Sequence, residues 1–496
     1  MKFKPMVFWL TVLLIYLMAA KVSVDSDTWW HLRAGKWMIE QRQILTVDLF
    51  SYTRYGAEWR YPGWLIEIPM YLIESIFGLG GLSIFSALII TVSFTLIYLS
   101  THGNELVRAF VTVLATIVSS IYWSARPHLM TILFAALFLY WLENGARNGY
   151  VQWRKSIWFG LPLLMLCWVN MHGGFIAGFL IWGIFLAELT LKLTLRALAE
   201  HRNLWRALSH PGMYSLLFAG LAMGLLATLN PLGIKIFLYP FQTVSIEKLG
   251  LYIQEWQSPD FHSLSLQPFI WLLLVLVAVS AFVPKRWELR DYLLVATFLY
   301  LALMAVRNVA LFALVAPLPI LRLLQGVDFR TVLPKLLSEL SLWRANHSSI
   351  EHPKINLFVL GLVFVGCVVR TAMVYPEEAI LKELADVTPA GAVHYLKETQ
   401  PQGRLFNSYN WGGYLLWMLP EIPVFVDGRT DLYNDEILDQ WFQVVKFQDG
   451  WEKVIERWQI NVILMEKDWI GAKLLQQSGW CQKYLDDVAI VLEKCP

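Results

Sequence analysis

Between Val24 and Trp37 the chain reads Val24-Asp25-Ser26-Asp27-Thr28-Trp29-Trp30-His31-Leu32-Arg33-Ala34-Gly35-Lys36-Trp37. Two acids, a histidine and an arginine follow almost at once on an uncharged apolar run, Val7–Ala20. Such a run approaches the roughly 20 residues that cross a bilayer core as helix. Lys2 and Lys4 precede it and Lys21 follows it, with no clear small-x-small cleavage site. A retained anchor is therefore expected rather than a removed leader. The first membrane segment opens directly on an ionisable loop.

The pattern of long apolar stretches continues through most of the chain. Apolar residues make up 57% of the 496, charged ones 16%, and the mean hydropathy is +0.50. That balance excludes a soluble enzyme, a disordered chain and a small secreted domain built on disulfides. The 24 Trp and 20 Tyr suit rings placed at two membrane interfaces. Spans are expected near 7–20, 81–100, 106–124, 127–143, 156–172, 173–192, 213–230, 268–283, 291–306, 309–325 and 355–375, about eleven in all. The fold class expected is mainly α: a polytopic membrane helix bundle with a C-terminal soluble α/β domain.

Charge sets the orientation. From Pro376 onward there are 11 Lys/Arg against 19 Asp/Glu, a net of −8, so the first 375 residues carry +10 of the total +2. Trp64–Phe77 is short and contains Glu67, Pro69 and Glu74. Read as a helix lying in the interface, it leaves the basic loops 144–156 and 192–210, together with Arg286, Arg290 and the stretch 322–354, on the cytoplasmic side, as the positive-inside rule requires. The N-terminus is then cytoplasmic. Residues 1–375 form the membrane domain, with a first outer loop at 24–80, and residues 376–496 form an extracytoplasmic domain. Basic residues confined to a few loops favour a membrane surface over nucleic acid as partner. Cys481 and Cys495 could pair only in that extracytoplasmic setting. Cys167 and Cys367 lie in apolar segments and read as packing residues.

The same orientation gathers the polar clusters at span ends, Arg126-Pro127-His128, Asn170-Met171-His172-Gly173-Gly174, Asn230-Pro231 and Arg307-Asn308, on the outer side. Ionisable groups at membrane depth usually line a cavity, so Arg126, His128, His172 and Arg307 are expected to share one. In the first loop, residues 27–41 form an amphipathic helix whose Trp30, Ala34 and Trp37 stripe could rest among headgroups. Asp27 and His31 share another face, and Asp25 precedes the helix. A helix cap explains one acid and not both.

The Asp25-Ser26-Asp27 run after the first span, Trp168-x-Asn170-x-His172-Gly173-Gly174 and the Asn230-Pro231-x-Gly233 turn together resemble the GT-C class of membrane glycosyltransferases, in an uncharacterised bacterial branch. The resemblance covers essentially the whole chain. It implies transfer of a sugar from a polyprenyl-phosphate carrier to a protein or glycan acceptor on the outer side, with an outer-loop aspartate as base. A base must reach the acceptor proton, and the leaving phosphate needs cations or a metal. Asp25 and Asp27 are the candidate bases, Asp25 preferred as the one free of first-turn pairing. His31, Arg33, Arg126, His128, Asn170, His172 and Arg307 are the candidates around the donor phosphate. Asp25, Asp27 and His31 could supply ligands to a divalent metal; some enzymes of the class work without one, and metal dependence stays open.

The tail reads as strands at Arg404–Tyr409, Val424–Asp427, Asn461–Glu466, around Tyr484 and at Ala489–Glu493, with helices at Glu436–Phe447, Trp451–Trp458 and Ala472–Gln477. Asn407-Ser408-Tyr409-Asn410-Trp411-Gly412-Gly413-Tyr414, followed by Asp427-Gly428-Arg429-Thr430, resembles the Trp-Trp-Asp-Tyr-Gly and Asp-Gly/Asn-x-Thr stretches of oligosaccharyltransferase catalytic subunits. That makes Asn410, Trp411, Asp427 and Arg429 candidates for holding an acceptor. Asn410-Trp411-Gly412 stands where that family has Trp-Trp-Asp, so its sequon recognition does not carry over. Asp427, Arg429 and Asp431 equally suit a loop-bracing ion network. Two other functions compete: a transporter or flippase of lipid-linked saccharides, which should show repeated halves that this sequence lacks, and a non-catalytic scaffold for envelope assembly.

Overall fold

A computed structural model describes residues 2–495 apart from 148–149, 153, 284, 286, 326 and 328–352. Arg286 and most of the basic stretch 322–354 thus lie outside the described residues. Each apolar segment expected to span falls on a helix. Among the described residues, six of these helices are long and apolar enough to cross a membrane: Trp64–Leu99, Glu105–Tyr122, Gly173–Ala199, Leu264–Phe282, Val306–Leu324 and Pro353–Val374. Phe3–Ala19, Ser156–Met171 and Pro211–Ala227 are shorter apolar helices.

Helix α1 (Phe3–Ala19) leads into α2 (Thr28–Gln41) and then α3 (Trp64–Leu99). Within α3 the backbone breaks at Gly78, where φ is +66° and ψ −171°. Only glycine takes up such a conformation readily. It separates the acid-bearing segment 64–77 from the apolar segment after it.

The tail carries a four-stranded sheet of β1 (Arg404–Asn407), β2 (Ile460–Glu466), β3 (Trp480–Leu485) and β4 (Ala489–Lys494), in the order β1-β2-β4-β3. The β1–β2 pair is parallel and the others antiparallel. A parallel pair needs a long crossover, here supplied by helices Thr430–Val445 and Trp451–Arg457. β2 reads Ile460-Asn461-Val462-Ile463-Leu464-Met465-Glu466 and is buried along most of its length, as a strand covered on both faces must be. Cys481 and Cys495 form a disulfide.

One expected strand is absent. Val424–Asp427 joins no sheet, because the Asn407 side chain takes its ladder bonds: Asn407 Oδ1 accepts from the Phe425 N–H at 2.9 Å, and Nδ2 donates to the Val426 carbonyl at 2.8 Å. Val424 instead bridges Ser51 in the loop between α2 and α3. Around that bridge the loop is stitched to the tail. Thr53 Oγ1 donates to the Phe425 carbonyl at 2.6 Å, Tyr52 Oη to the Leu405 carbonyl at 3.0 Å, and Arg54 Nη2 to the Tyr433 carbonyl at 3.0 Å.

That docking also corrects the expected surface of α2. Trp30 and Ala34 are buried, and Trp29 meets Tyr414 edge to face with ring centres 5.2 Å apart. The stripe packs against the tail rather than resting among headgroups. Aromatic surface buried against protein gives both area and ring geometry that lipid headgroups cannot.

Candidate functional site

A cavity of about 1520 Å³ opens where the loop after α1, one set of ends of the membrane helices and the tail converge. Asp25, Asp27, His31, Arg126, His128, His172 and Arg307 all line it, as does Asn410 of the tail.

At its acidic wall the turn before α2 assigns different tasks to the two aspartates. Asp25 Oδ1 accepts from the backbone N–H of Asp27 at 3.1 Å, from that of Thr28 at 3.0 Å and from the Thr28 hydroxyl at 3.0 Å. Asp27 sits at the helix N-cap and makes no capping bond with its side chain. This reverses the expectation that Asp25 is the one free of first-turn pairing. The turn, with Thr28 Oγ1 also accepting the Asp25 N–H at 3.0 Å, uses Asp25 as the local brace and leaves Asp27 to the cavity. Burial, opposed by Arg126 and reinforced by Asp25 and Glu255, pushes the Asp27 carboxyl up to about 7.

Arg126 is the hub. Its Nη2 lies 2.8 Å from Asp27 Oδ2, and its Nη1 lies 3.4 Å from Asp25 Oδ2 and 3.3 Å from Glu255 Oε2. Arg307 Nη1 reaches Glu255 Oε1 at 3.5 Å, with the guanidinium 4.2 Å from the Trp256 ring centre. Burial alone would raise the Glu255 pKa, but Arg126 and then Arg307 outweigh it and hold the carboxyl at about 2.

The histidines are committed by their partners. His31 Nδ1 meets Glu67 Oε1 at 2.8 Å, and burial, then the nearby Arg126, holds its pKa well below the ordinary histidine value. His172 Nδ1 accepts from the Gly174 N–H at 3.0 Å. His128 Nε2 donates to the Tyr122 carbonyl at 2.8 Å.

Asp25, Asp27 and His31 do not make a metal ligand set. His31 is turned to Glu67, one Asp25 oxygen is taken by three donors, and the other faces Arg126, as does Asp27. Among the described residues no group of three or more His, Cys, Asp or Glu side chains is gathered for an ion.

Five expected site residues fall elsewhere. Arg33 lies over the Phe50 ring at 5.4 Å, in a small recess beside Trp37 and Leu416. Asn170 braces helix ends: its Oδ1 accepts from Trp64 Nε1 at 2.9 Å and Asn230 Nδ2 at 3.2 Å. Trp411 is buried and donates its Nε1–H to the Val387 carbonyl at 2.9 Å. Asp427 and Arg429 are fully buried partners at 2.7 Å, and Arg429 also reaches Asp48 of the first loop at 2.7 Å. They brace the domain contact. Asp431 does line the cavity, its Oδ2 accepting from Trp59 Nε1 and Tyr239 Oη, each at 3.2 Å.

Glu255 lines the cavity and Glu67 pairs with His31 behind it, although neither is given a role by the sequence alone. An acid inside the apolar stretch 64–77 is a signal for Glu67; Glu255 lies in the long connection between the helices Pro211–Ala227 and Gln267–Phe282, with no motif to mark it.

The tail closes directly on Asp27. A β-carbon at Gly428 would collide with Asp27 Oδ1 and approach Trp30 Nε1 to 3.1 Å. Gly428→Ala should therefore displace Asp27. A misplacement of about 1 Å costs on the order of 10²-fold in rate. Assays of the transfer that the GT-C resemblance implies, on a variant that keeps the wild-type melting temperature, would read this; a wild-type rate would show that Asp27 tolerates the shift.

No family model and no curated protein sequence matches the chain. Solved structures do. The archaeal oligosaccharyltransferase AglB from Archaeoglobus fulgidus, in complex with an inhibitory peptide and a dolichol-phosphate, aligns at TM-score 0.54 and 12% identity over 96% of this chain and 72% of that one. The Archaeoglobus fulgidus oligosaccharyltransferase tethered with an acceptor peptide aligns at 0.53 and 12%, over 98% and 74%. ArnT from Cupriavidus metallidurans bound to undecaprenyl phosphate gives 0.47 and 12%, over 98% and 97%. At such identities the likeness is one of architecture. The chain has a GT-C-like fold, a helical membrane body carrying a C-terminal domain.

Proposed function

We propose that this protein is a membrane glycosyltransferase that moves a sugar from a polyprenyl-phosphate-linked donor to an acceptor on the extracytoplasmic face. The observation that carries the reading is one cavity holding Asp27, a carboxyl free of capping duty, beside the guanidinium of Arg126 with Arg307 close by. The fold shared with AglB, whose structure holds a dolichol-phosphate, agrees with a lipid-phosphate donor.

In the reaction an acceptor oxygen or nitrogen bonds to the anomeric carbon as the bond from that carbon to the donor phosphate oxygen breaks. The bonding electron pair stays on the phosphate and the acceptor proton passes to Asp27. A base near pH 7 suits that task. Arg126 and Arg307 stabilise the charge that grows on the leaving phosphate. Asp25 positions Asp27 through the turn it braces. His128 and His172 line the same cavity, and Asn410 is the one acceptor candidate from the tail motif that reaches it.

Residues 1–375 serve as the membrane domain, N-terminus in the cytoplasm, and 376–496 as the outer domain. The Cys481–Cys495 disulfide accords with an oxidising outer compartment. Deleting the gene should make one polyprenyl-phosphate-linked sugar accumulate, read by mass analysis of extracted lipids. An unchanged lipid-linked pool would refute the transfer reading, and accumulation relieved by an Asp27→Asn copy would point to transport instead.

A further inference from the structure

Two guanidiniums placed to receive a phosphate are already engaged by a carboxylate. Glu255 sits between Arg126 and Arg307, its Oε2 3.3 Å from one and its Oε1 3.5 Å from the other. It belongs to a short turn, Gln254–Trp256, rather than to a long helix. The turn is fixed at its end by the Val306 N–H, which donates to the Gln257 carbonyl at 3.0 Å, and by Trp256 under Arg307. One carboxylate thus links the loop after the helix Pro211–Ala227 to both cations of the cavity.

Charge counting shows what this contact does. Arg126 and Arg307 bring two positive charges, while Asp25, Asp27 and Glu255 bring up to three negative ones. A phosphate entering with Glu255 still in place would add charge to a site already short of cations. Like charges in a partly desolvated site repel strongly. With Glu255 withdrawn, two guanidiniums face the phosphate, and Asp25 and Asp27 only balance them.

Resting on the donor reading above, we infer that Glu255 is a displaceable stand-in for the donor phosphate: it holds Arg126 and Arg307 in place in the empty site and must leave them when a polyprenyl phosphate binds. The carboxylate keeps two buried cations paired, which avoids the cost of leaving them bare. It also sets a threshold, because only an anion able to out-compete a carboxylate gains the pair. The donor phosphodiester, with two non-bridging oxygens set for bidentate guanidinium contact, does so, and the polyprenyl monophosphate left after transfer presents three such oxygens.

The test uses the full chain in lipid nanodiscs, titrated with a short polyprenyl monophosphate. Glu255→Gln keeps the size of the side chain and removes its charge; it should tighten binding about tenfold. Arg307→Gln should weaken binding by a similar factor. Without ligand, Glu255→Gln should melt below the wild type, and the ligand should raise its melting temperature by more. Unchanged or weaker binding by Glu255→Gln, with Arg307→Gln still impaired, overturns the stand-in role while leaving the donor reading intact. Binding that ignores both substitutions, or is absent in all three proteins, defeats the donor reading and this inference with it.

Discussion

Asp27→Asn should nearly abolish glycosyl transfer while leaving the protein folded. Removing a general base typically costs about 10² to 10⁴ in rate, and Asp27 is the carboxyl that the turn leaves unused. Its pKa near 7 makes the wild-type rate depend on pH in a definite sense. The base form is the carboxylate, so the rate should climb as pH rises through about 7 and level off above it. In Asp27→Asn that step should vanish along with most of the rate. Asp25→Asn should behave differently. It keeps an oxygen that can accept from the Asp27 and Thr28 N–H groups, so a moderate loss is expected with the pH step retained. The two profiles, measured on the same donor and acceptor, separate base from brace. A pH step that follows Asp25 and ignores Asp27 would reverse the assignment.

What the sequence made legible was governed by short-range physics. The apolar segments announce their helices by hydropathy, and the 3.6-residue spacing of Trp30, Ala34 and Trp37 announces α2. Sorting basic loops to one side groups Arg126, His128, His172 and Arg307, and the four line one cavity. The misses all lie in contacts far apart in sequence or in the detail of a turn. Nothing near Trp30 says that its face meets Gly413 and Gly428, nearly four hundred residues on. Val424–Asp427 has the composition of a strand, yet the amide of Asn407 takes its ladder bonds. Arg33 and Asn170 look like site residues because they stand beside site residues, and helical geometry turns them away. Asp25 and Asp27 differ only in which carboxyl the local backbone claims, a matter of a few dihedral angles. The tail's Asp427 and Arg429 could serve an acceptor or an ion network on composition alone. Burial decides for the network.

That network carries the largest expected loss of stability. Arg429 is fully buried, donates from Nη1 to Asp48 at 2.7 Å, and holds Asp427 through Nη2 at 2.7 Å and Nε at 2.9 Å. Asp48 also accepts the Ser51 hydroxyl at 2.6 Å, and Asp427 the Tyr433 hydroxyl at 2.7 Å. A single guanidinium therefore neutralises two buried acids, one from each side of the domain contact. Arg429→Met removes the cation and leaves both acids unpaired. Breaking a buried pair in this way costs about 3–5 kcal/mol, and two stranded carboxylates place the expectation at the upper end. Arg429→Lys should recover only part of it, because an ammonium cannot meet both acids with the same fork of donors. Adding Asp48→Asn to Arg429→Met should restore some stability, since one stranded charge is then gone. The measurement is the midpoint of detergent-solubilised unfolding followed through tail tryptophan fluorescence. The same variants should lose transfer, because Gly428 is held against Asp27 by the loop that Arg429 anchors. Stability within about 1 kcal/mol of wild type, the range of an exposed pair, would mean that water reaches this interface and that the tail is held to the membrane domain by its backbone stitching alone.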